Sequence, residues 1–259
     1  ADNSKLKNLV RNASFIRKFE SNSPDNLADA LFNYGIYGND SEYLRRLSVK
    51  QVKRTDSQDL LNLLDQLLSQ KYSVHYSGSL SVDEIQKFTD ALFNFETKTD
   101  ETKFPVFYDR LNYDENTILF LDDSKSLQSR IYFYVQGEEH KPQERAIAMA
   151  FNQYFGTGMS ALVFQEVREF RSMAYSAYAV YRTGFLPNHK GYLQGFVGTQ
   201  CDKTIDAISL MDSLIHQMPI KENRMPDIVS ALMQSINSSK PTWRDLSETG
   251  DQHEHRKSA

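Results

Sequence analysis

The sequence predicts an α/β (α+β) chain in which an antiparallel-rich mixed sheet packs against helices. Three observations carry this expectation. Residues 1–95 follow the helical period almost throughout, with one alternating stretch. The run ETKTDETK at 96–103 is charged and has no apolar side chain. Beyond it the pattern becomes strand, strand, helix, helix, strand, strand, helix, with two strands joined by the loop GFLPNHK. The expected organisation is therefore a helix-rich part at 1–95 ending strand–helix, a linker at 96–104, a second part at 105–245, and a polar tail at 246–259.

Each element has a local reason. Leu6, Leu9, Val10 and Ala13 share one face of a helix over 4–20. SNSPDN interrupts it, and Pro24 suits the first turn of a helix that runs to about Gly35. GND at 38–40 reads as a turn, followed by a short helix around Tyr43–Leu47. Thr55 and Gln58, and again Ser81 and Glu84, have capping-box spacing. They open helices bearing Leu60, Leu61, Leu64, Leu67 and Leu68, and then Ile85, Phe88, Ala91 and Leu92. KYSVHYSG at 71–78 alternates like a strand, and TILFLDD at 117–123 and SRIYFYVQG at 129–137 are strand-like runs. Pro142 opens a helix with Ile147, Ala150, Phe151 and Tyr154 on one side. FGTGMS at 155–160 ends it, and Ser160 is placed to cap a helix containing Arg168. AYSAYAVYRT and GYLQGFVGTQ follow as strands, then helices over 202–218 and 226–237.

Composition narrows the function. A chain of 259 residues, 40% hydrophobic and 25% charged, can bury a sizeable core. A net charge of -4 and a pI near 5.9 do not favour nucleic acid. No apolar run is long enough to span a membrane. Cys201 is the single cysteine, so no internal disulfide forms and the redox compartment stays open. The first residues lack a signal-peptide core, and the chain starts at Ala1, as a processed or excised piece would.

Several residues are candidates for chemistry. The six histidines show no zincin-type spacing. His253 and His255 flank Glu254 in the polar tail, where a solvated end is the simpler reading than a metal site. His140 and Glu144 would share a helix face only if the helix began before Pro142. FGTGMS could cradle a phosphate, but lacks the Lys-Ser or Lys-Thr of a P-loop and reads better as a turn between helices. Asp122, Asp123, Glu138 and Glu139 are acids at strand ends, and solvation explains them as well as acid–base work does. Ser160 and Cys201 have no recognisable base partner; a helix cap and a small buried residue are the better readings. Arg168 and Tyr175 are different in kind. A guanidinium and a phenol at a helix-to-strand junction can together hold a peptide carbonyl and a developing oxyanion. An exposed helix arginine and a half-buried strand tyrosine are the structural alternative.

The stretch GTGMSALVFQEVREFRSMAYSAYAVY resembles a motif of the pitrilysin/insulysin-type zinc metallopeptidases, the inverzincins, and their processing-peptidase relatives. It carries Phe164, Arg168-Glu169 and Met173-Ala174-Tyr175, and keeps the R-x6-Y spacing. The flanking order of strand pair, helix, glycine-rich break, motif and hairpin agrees, and RLSVKQVKRTDSQDLLNLLDQLLSQKYSVHYSG matches the close of a preceding repeat. The resemblance covers most of residues 25–240. It implies the metallopeptidase-repeat (LuxS/MPP-like) fold, and a fragment spanning the end of a third repeat and the start of a fourth.

The same resemblance implies the function. Zinc and its H-x-x-E-H motif would lie in the N-terminal half of the parent enzyme, with no metal or cofactor held by this chain. Arg168 would orient the peptide backbone and Tyr175 would donate to the substrate carbonyl or its tetrahedral intermediate. The implied partners are the zinc-binding half of the same protein and a peptide, with no nucleic acid and no transmembrane segment. The chain alone would be inactive, and a periplasmic location is implied by resemblance to exported relatives only. The alternatives are a catalytically silent scaffold or interaction module of the same fold, as in the core proteins of respiratory complexes, and an unrelated α+β binding protein.

Overall fold

A computed structural model describes residues 3–68, 74–92, 108–124, 126–139, 141–169, 174–184 and 189–240, together with 242, 243 and 245. The chain divides into two units. One comprises residues 1–22, 42–109 and 241–258; the other comprises 23–41 and 110–240.

The first unit is helical where described. α1 (Asn3–Ser21) is fastened to the short α3 (Glu42–Arg45) and α4 (Val49–Val52). Arg46 pairs with Glu20 at 2.9 Å, and Arg17 donates to the Leu47 carbonyl at 3.2 Å. α5 (Ser57–Leu68) begins one residue later than the Thr55–Gln58 spacing predicts. The reciprocal cap is built by Asp56 and Asp59, each backbone N–H donating to the other's carboxylate at 3.0 and 2.9 Å. A carboxylate on a short stem is the stronger acceptor for these N–H groups, and its charge suits the helix start. Ser81 and Glu84 form the expected box at the start of α6 (Val82–Leu92). Residues 74–78 are not a strand, and 71–73 lie outside the described residues. Alternation alone makes no strand; a ladder partner does, and among the described residues none meets 74–78.

The second unit begins with α2 (Pro24–Tyr37). Ser23 caps it, Pro24 occupies its first turn, and Gly38 closes it with φ of 57°. Residues 117–123 were expected as a strand and are not one. The segment runs beside α2: Leu111 N–H donates to the Ile36 carbonyl at 2.7 Å, and the Tyr113 hydroxyl donates to the Gly35 carbonyl at 2.6 Å. Leu119 packs on Gly35, while Ile118 and Phe120 project outward, 89% and 83% exposed. A helix, not a neighbouring strand, satisfies its inward face.

β1 (Gln128–Glu139), β2 (Ala174–Arg182) and β3 (Lys190–Gln200) form one sheet in the order β1-β3-β2, both pairings antiparallel. Register places Phe133 beside Gly195 beside Ala179, and Tyr132 beside Phe196 beside Tyr178. The odd-numbered row faces the main core with α7 (Arg145–Phe155), α8 (Thr204–His216) and α9 (Met225–Ser238). Phe155, Met211 and Val197 are fully buried there. The even-numbered row meets α2: Phe32 stacks on Tyr132 at 4.5 Å, the Tyr132 hydroxyl donates to Asp29, and Arg130 pairs with Asp25.

β2 is an edge strand, and α7 covers its open edge. The Asn152 side chain accepts from Tyr181 N–H at 2.6 Å and donates to the Tyr181 carbonyl at 2.9 Å. Two residues along, Ala179 N–H donates to the Gly156 carbonyl at 3.1 Å. A Cβ on Gly156 would overlap the Ala179 carbonyl oxygen and come within 2.7 Å of its Cα. Glycine is therefore required by backbone contact.

Replacing Gly156 with alanine should cost more than about 2 kcal/mol in a urea titration, by overpacking against β2. Gly158→Ala, which strains a φ of 89° in open surroundings, should cost only about 1 kcal/mol. Equal costs would contradict the close-approach argument. Asn152→Ala strands both Tyr181 backbone groups and should lower stability by about 2–3 kcal/mol.

Burial raises the pKa values of Tyr132, Tyr178, Tyr134 and Tyr192, with Asp29 adding to the effect at Tyr132. A phenol held above its unfolded value keeps its proton longer in the folded state. Its stabilising contribution is then complete below about pH 10 and is lost as pH rises beyond it. Urea midpoints should fall above that pH, and Tyr132→Phe should make the fall shallower.

Candidate functional site

The helix-to-strand junction is built on buried apolar residues. Ala161, Leu162, Val163 and Val167 are all fully buried, so the segment after FGTGMS is pinned to the core. Residues Phe164–Glu169 wind as a π-helix, one wide turn with an extra residue per loop of the ladder. Arg168 emerges on its solvent side, with the guanidinium carbon 4.8 Å from the Phe164 ring centre. Glu166 fixes the other side by pairing with Lys221 at 3.6 Å. Lys221 N–H donates to the Tyr154 hydroxyl at 2.7 Å, which itself donates to the Pro219 carbonyl at 2.6 Å. The π turn is thus tied to α7 and to the loop before α9.

Tyr175 sits in a β-bulge. Ala174 pairs with Thr199 and Ser176 with Gly198, so Tyr175 is an inserted residue with no partner on β3. A bulge bends the strand and turns a side chain out of the regular alternation. Tyr175 is 63% exposed as a result, whereas Ala177 and Ala179 further along are buried. The π turn packs against β2, so Arg168 and Tyr175 stand on adjoining elements, both open to solvent. Residues 170–173, which join them, lie outside the described residues, as does the side chain of Glu169. The half-buried strand tyrosine expected as the structural alternative is not observed.

The remaining candidates are not drawn together. His140, His253 and His255 lie outside the described residues. Glu144 precedes α7 and pairs with Lys141 at 3.5 Å. Asp122 and Asp123 do not end a strand; the Asp123 carbonyl closes a turn with Ser126. Glu138 and Glu139 are exposed at the end of β1. Cys201 is exposed, contrary to the expectation of a buried residue, because it opens the turn before α8. Ser160 is exposed and makes no cap bond among the described residues; Ala161 N–H instead donates to the Gly158 carbonyl. The glycines of FGTGMS serve the turn and the approach to β2, as the helix–helix reading holds. Among the described residues no group of three or more His, Cys, Asp or Glu could hold a metal ion. No helix of the described residues is long and apolar enough to cross a membrane.

Sequence reasoning missed the π-helix and the bulge. No sequence signal marks either: the π turn shows where Phe164 and Arg168 meet across it, and the bulge only in the pairing of β2 with β3.

Residues 55–218 match the family described as peptidase M16 inactive domain. A peptidase M16 inactive domain from Pseudomonas fluorescens superposes with a TM-score of 0.61 at 15% identity, over 96% of this chain and 59% of that one. A protease from Helicobacter pylori gives 0.64 at 11% identity, over 100% and 67%. A chain of complex III2 from Candida albicans gives 0.59 at 12% identity, over 100% and 62%. The chain thus spans well short of the full length of the structures it matches, and at these identities the likeness shows the fold. No curated protein sequence matches. The fold and the family matched are those implied by the resemblance to the pitrilysin/insulysin-type metallopeptidases, and the chain belongs to the peptidase M16 inactive-domain family.

Proposed function

We propose that this chain is the substrate-binding, site-completing C-terminal part of a zinc metalloendopeptidase, and is inactive alone. The observation that carries the reading is the pairing of two irregularities. A π turn presents Arg168, and the β-bulge beside it presents Tyr175. Each costs regular backbone bonding, and such departures concentrate where a side chain must be aimed.

The family implies that the metal would belong to an N-terminal half. This chain's own part is binding and orientation. Arg168 would present several guanidinium N–H donors to peptide carbonyls. Its stacking on Phe164 limits the positions of the guanidinium before a peptide arrives. The Tyr175 phenol donates one hydrogen bond, which strengthens as negative charge grows on the carbonyl oxygen.

A second reading is supported by the likeness to a chain of complex III2. In that reading the chain is a catalytically silent scaffold, and Arg168 and Tyr175 are exposed without a substrate.

Peptidase activity of the complete parent protein separates the two. Arg168→Ala and Tyr175→Phe should each retain bound zinc and lose about 100-fold or more in kcat/KM, the scale of one oxyanion-directed donor. An active parent whose variants match wild type would remove the site assignment. A parent that is inactive and binds no zinc would establish the scaffold.

A further inference from the structure

The even-numbered face of the sheet ends in an arrangement that peptide hydrolysis at Tyr175 does not use. On that face Arg182 of β2 lies beside Tyr192 of β3, and Val180 beside Gln194. Arg182 Nε donates to Gln194 Oε1 at 3.1 Å, and Gln194 Nε2 donates to the Tyr178 hydroxyl at 3.4 Å. Gln194 is only 9% exposed, so it holds one edge of the guanidinium while Arg182 itself remains exposed. A second guanidinium lies at Tyr192, the register neighbour of Arg182: Arg110 has its central carbon 4.5 Å from the Tyr192 ring centre, and it donates to the Lys190 carbonyl. Arg110 Nε is buried without a hydrogen-bond partner among the described residues. The hydroxyl of Tyr134, whose ring lies 5.6 Å from Tyr192, is in the same condition.

Two cations therefore flank one tyrosine, and neither is paired with a carboxylate among the described residues. Bringing like charges together in a half-buried place is unfavourable unless an anion joins them. Unpartnered buried donors add to that cost. Burial keeps Tyr134 and Tyr192 in their neutral, donating form. The partner that fits is a planar acceptor with two oxygens, which a guanidinium fork binds in parallel. β2 runs seven residues from Tyr175 to Arg182, roughly 20 Å of extended chain.

Resting on the peptide-binding reading, we propose that Arg182 and Arg110 form a carboxylate subsite for the bound peptide. It takes an acidic side chain, or a C-terminal carboxylate, about six residues from the bond that Tyr175 addresses. Arg182 would be the specificity-determining residue, and Gln194 its positioning residue.

Calorimetric titration of the chain with extended peptides tests this without any activity readout. One series carries a single Glu moved along the sequence with an amidated C-terminus; its counterpart carries Gln; a third carries Gln with a free C-terminal carboxylate. The Glu series should bind about tenfold tighter than the Gln series at one position, the scale of a charge-assisted hydrogen bond. Arg182→Gln and Arg110→Gln should each reduce that preference, with circular dichroism confirming that each variant is folded. The third series tells whether a terminal carboxylate serves as well as a side chain. Peptide binding with no preference for Glu or a free terminus would overturn the subsite and leave the peptide-binding reading standing. A preference that survives both arginine substitutions would overturn the assignment to these residues. No binding by any peptide would overturn the subsite and the reading beneath it together.

Discussion

The attachment of α7 to the open edge of β2 is the constraint on which the rest of this unit depends. An edge strand exposes N–H and C=O groups that must find partners. Here the Asn152 amide acts as a short surrogate strand against Tyr181, and the Gly156 carbonyl continues it at Ala179. This fixes where the chain leaves α7, and so where the buried run Ala161–Val163 enters the core. The π turn and the bulge lie at either end of the segment that follows. The extra residue of the bulge shifts the register of β2 once, at Tyr175, and the pairing from Ser176 to Arg182 is regular.

That arrangement sets core and exposed side chains within a few residues of one another. Val167 is buried on one side of the π turn while Arg168 is exposed on the other. Ala177 and Ala179 pack into the core, while Tyr175, two residues before them, is turned outward. The exposed side chains of Arg168 and Tyr175 contribute little to the core, whose contacts are made by their neighbours.

The sheet strands and the main helices were legible because each has a local cause. β1 and β3 are bounded by polar turns, Ser23 and Pro24 mark the start of α2, and Ser81 with Glu84 marks that of α6. The two stretches that are not strands, 74–78 and 117–123, have strand-like patterns but depend on neighbours that the pattern cannot supply. For 117–123 the neighbour is α2, which accepts Leu119 at Gly35. The shift of the α5 cap from Thr55 to Asp56 is a choice between two adequate acceptors one residue apart. At the site, the residue types and their seven-residue separation were readable, but the exposure of Tyr175 was not. It follows from a register shift on β2, which is a property of the pairing with β3 and not of β2's own sequence. The two-arginine arrangement was equally invisible, since Arg110 and Arg182 are far apart in the chain and the fold brings each to Tyr192.

The most direct test of the central claim is a crystal structure of the complete parent protein with an uncleavable peptide bound. The account predicts that the Tyr175 hydroxyl lies about 3 Å from the carbonyl oxygen that replaces the scissile one, with Arg168 bonded to the adjoining backbone. A peptide bound elsewhere, with Tyr175 and Arg168 still facing bulk solvent, would contradict it.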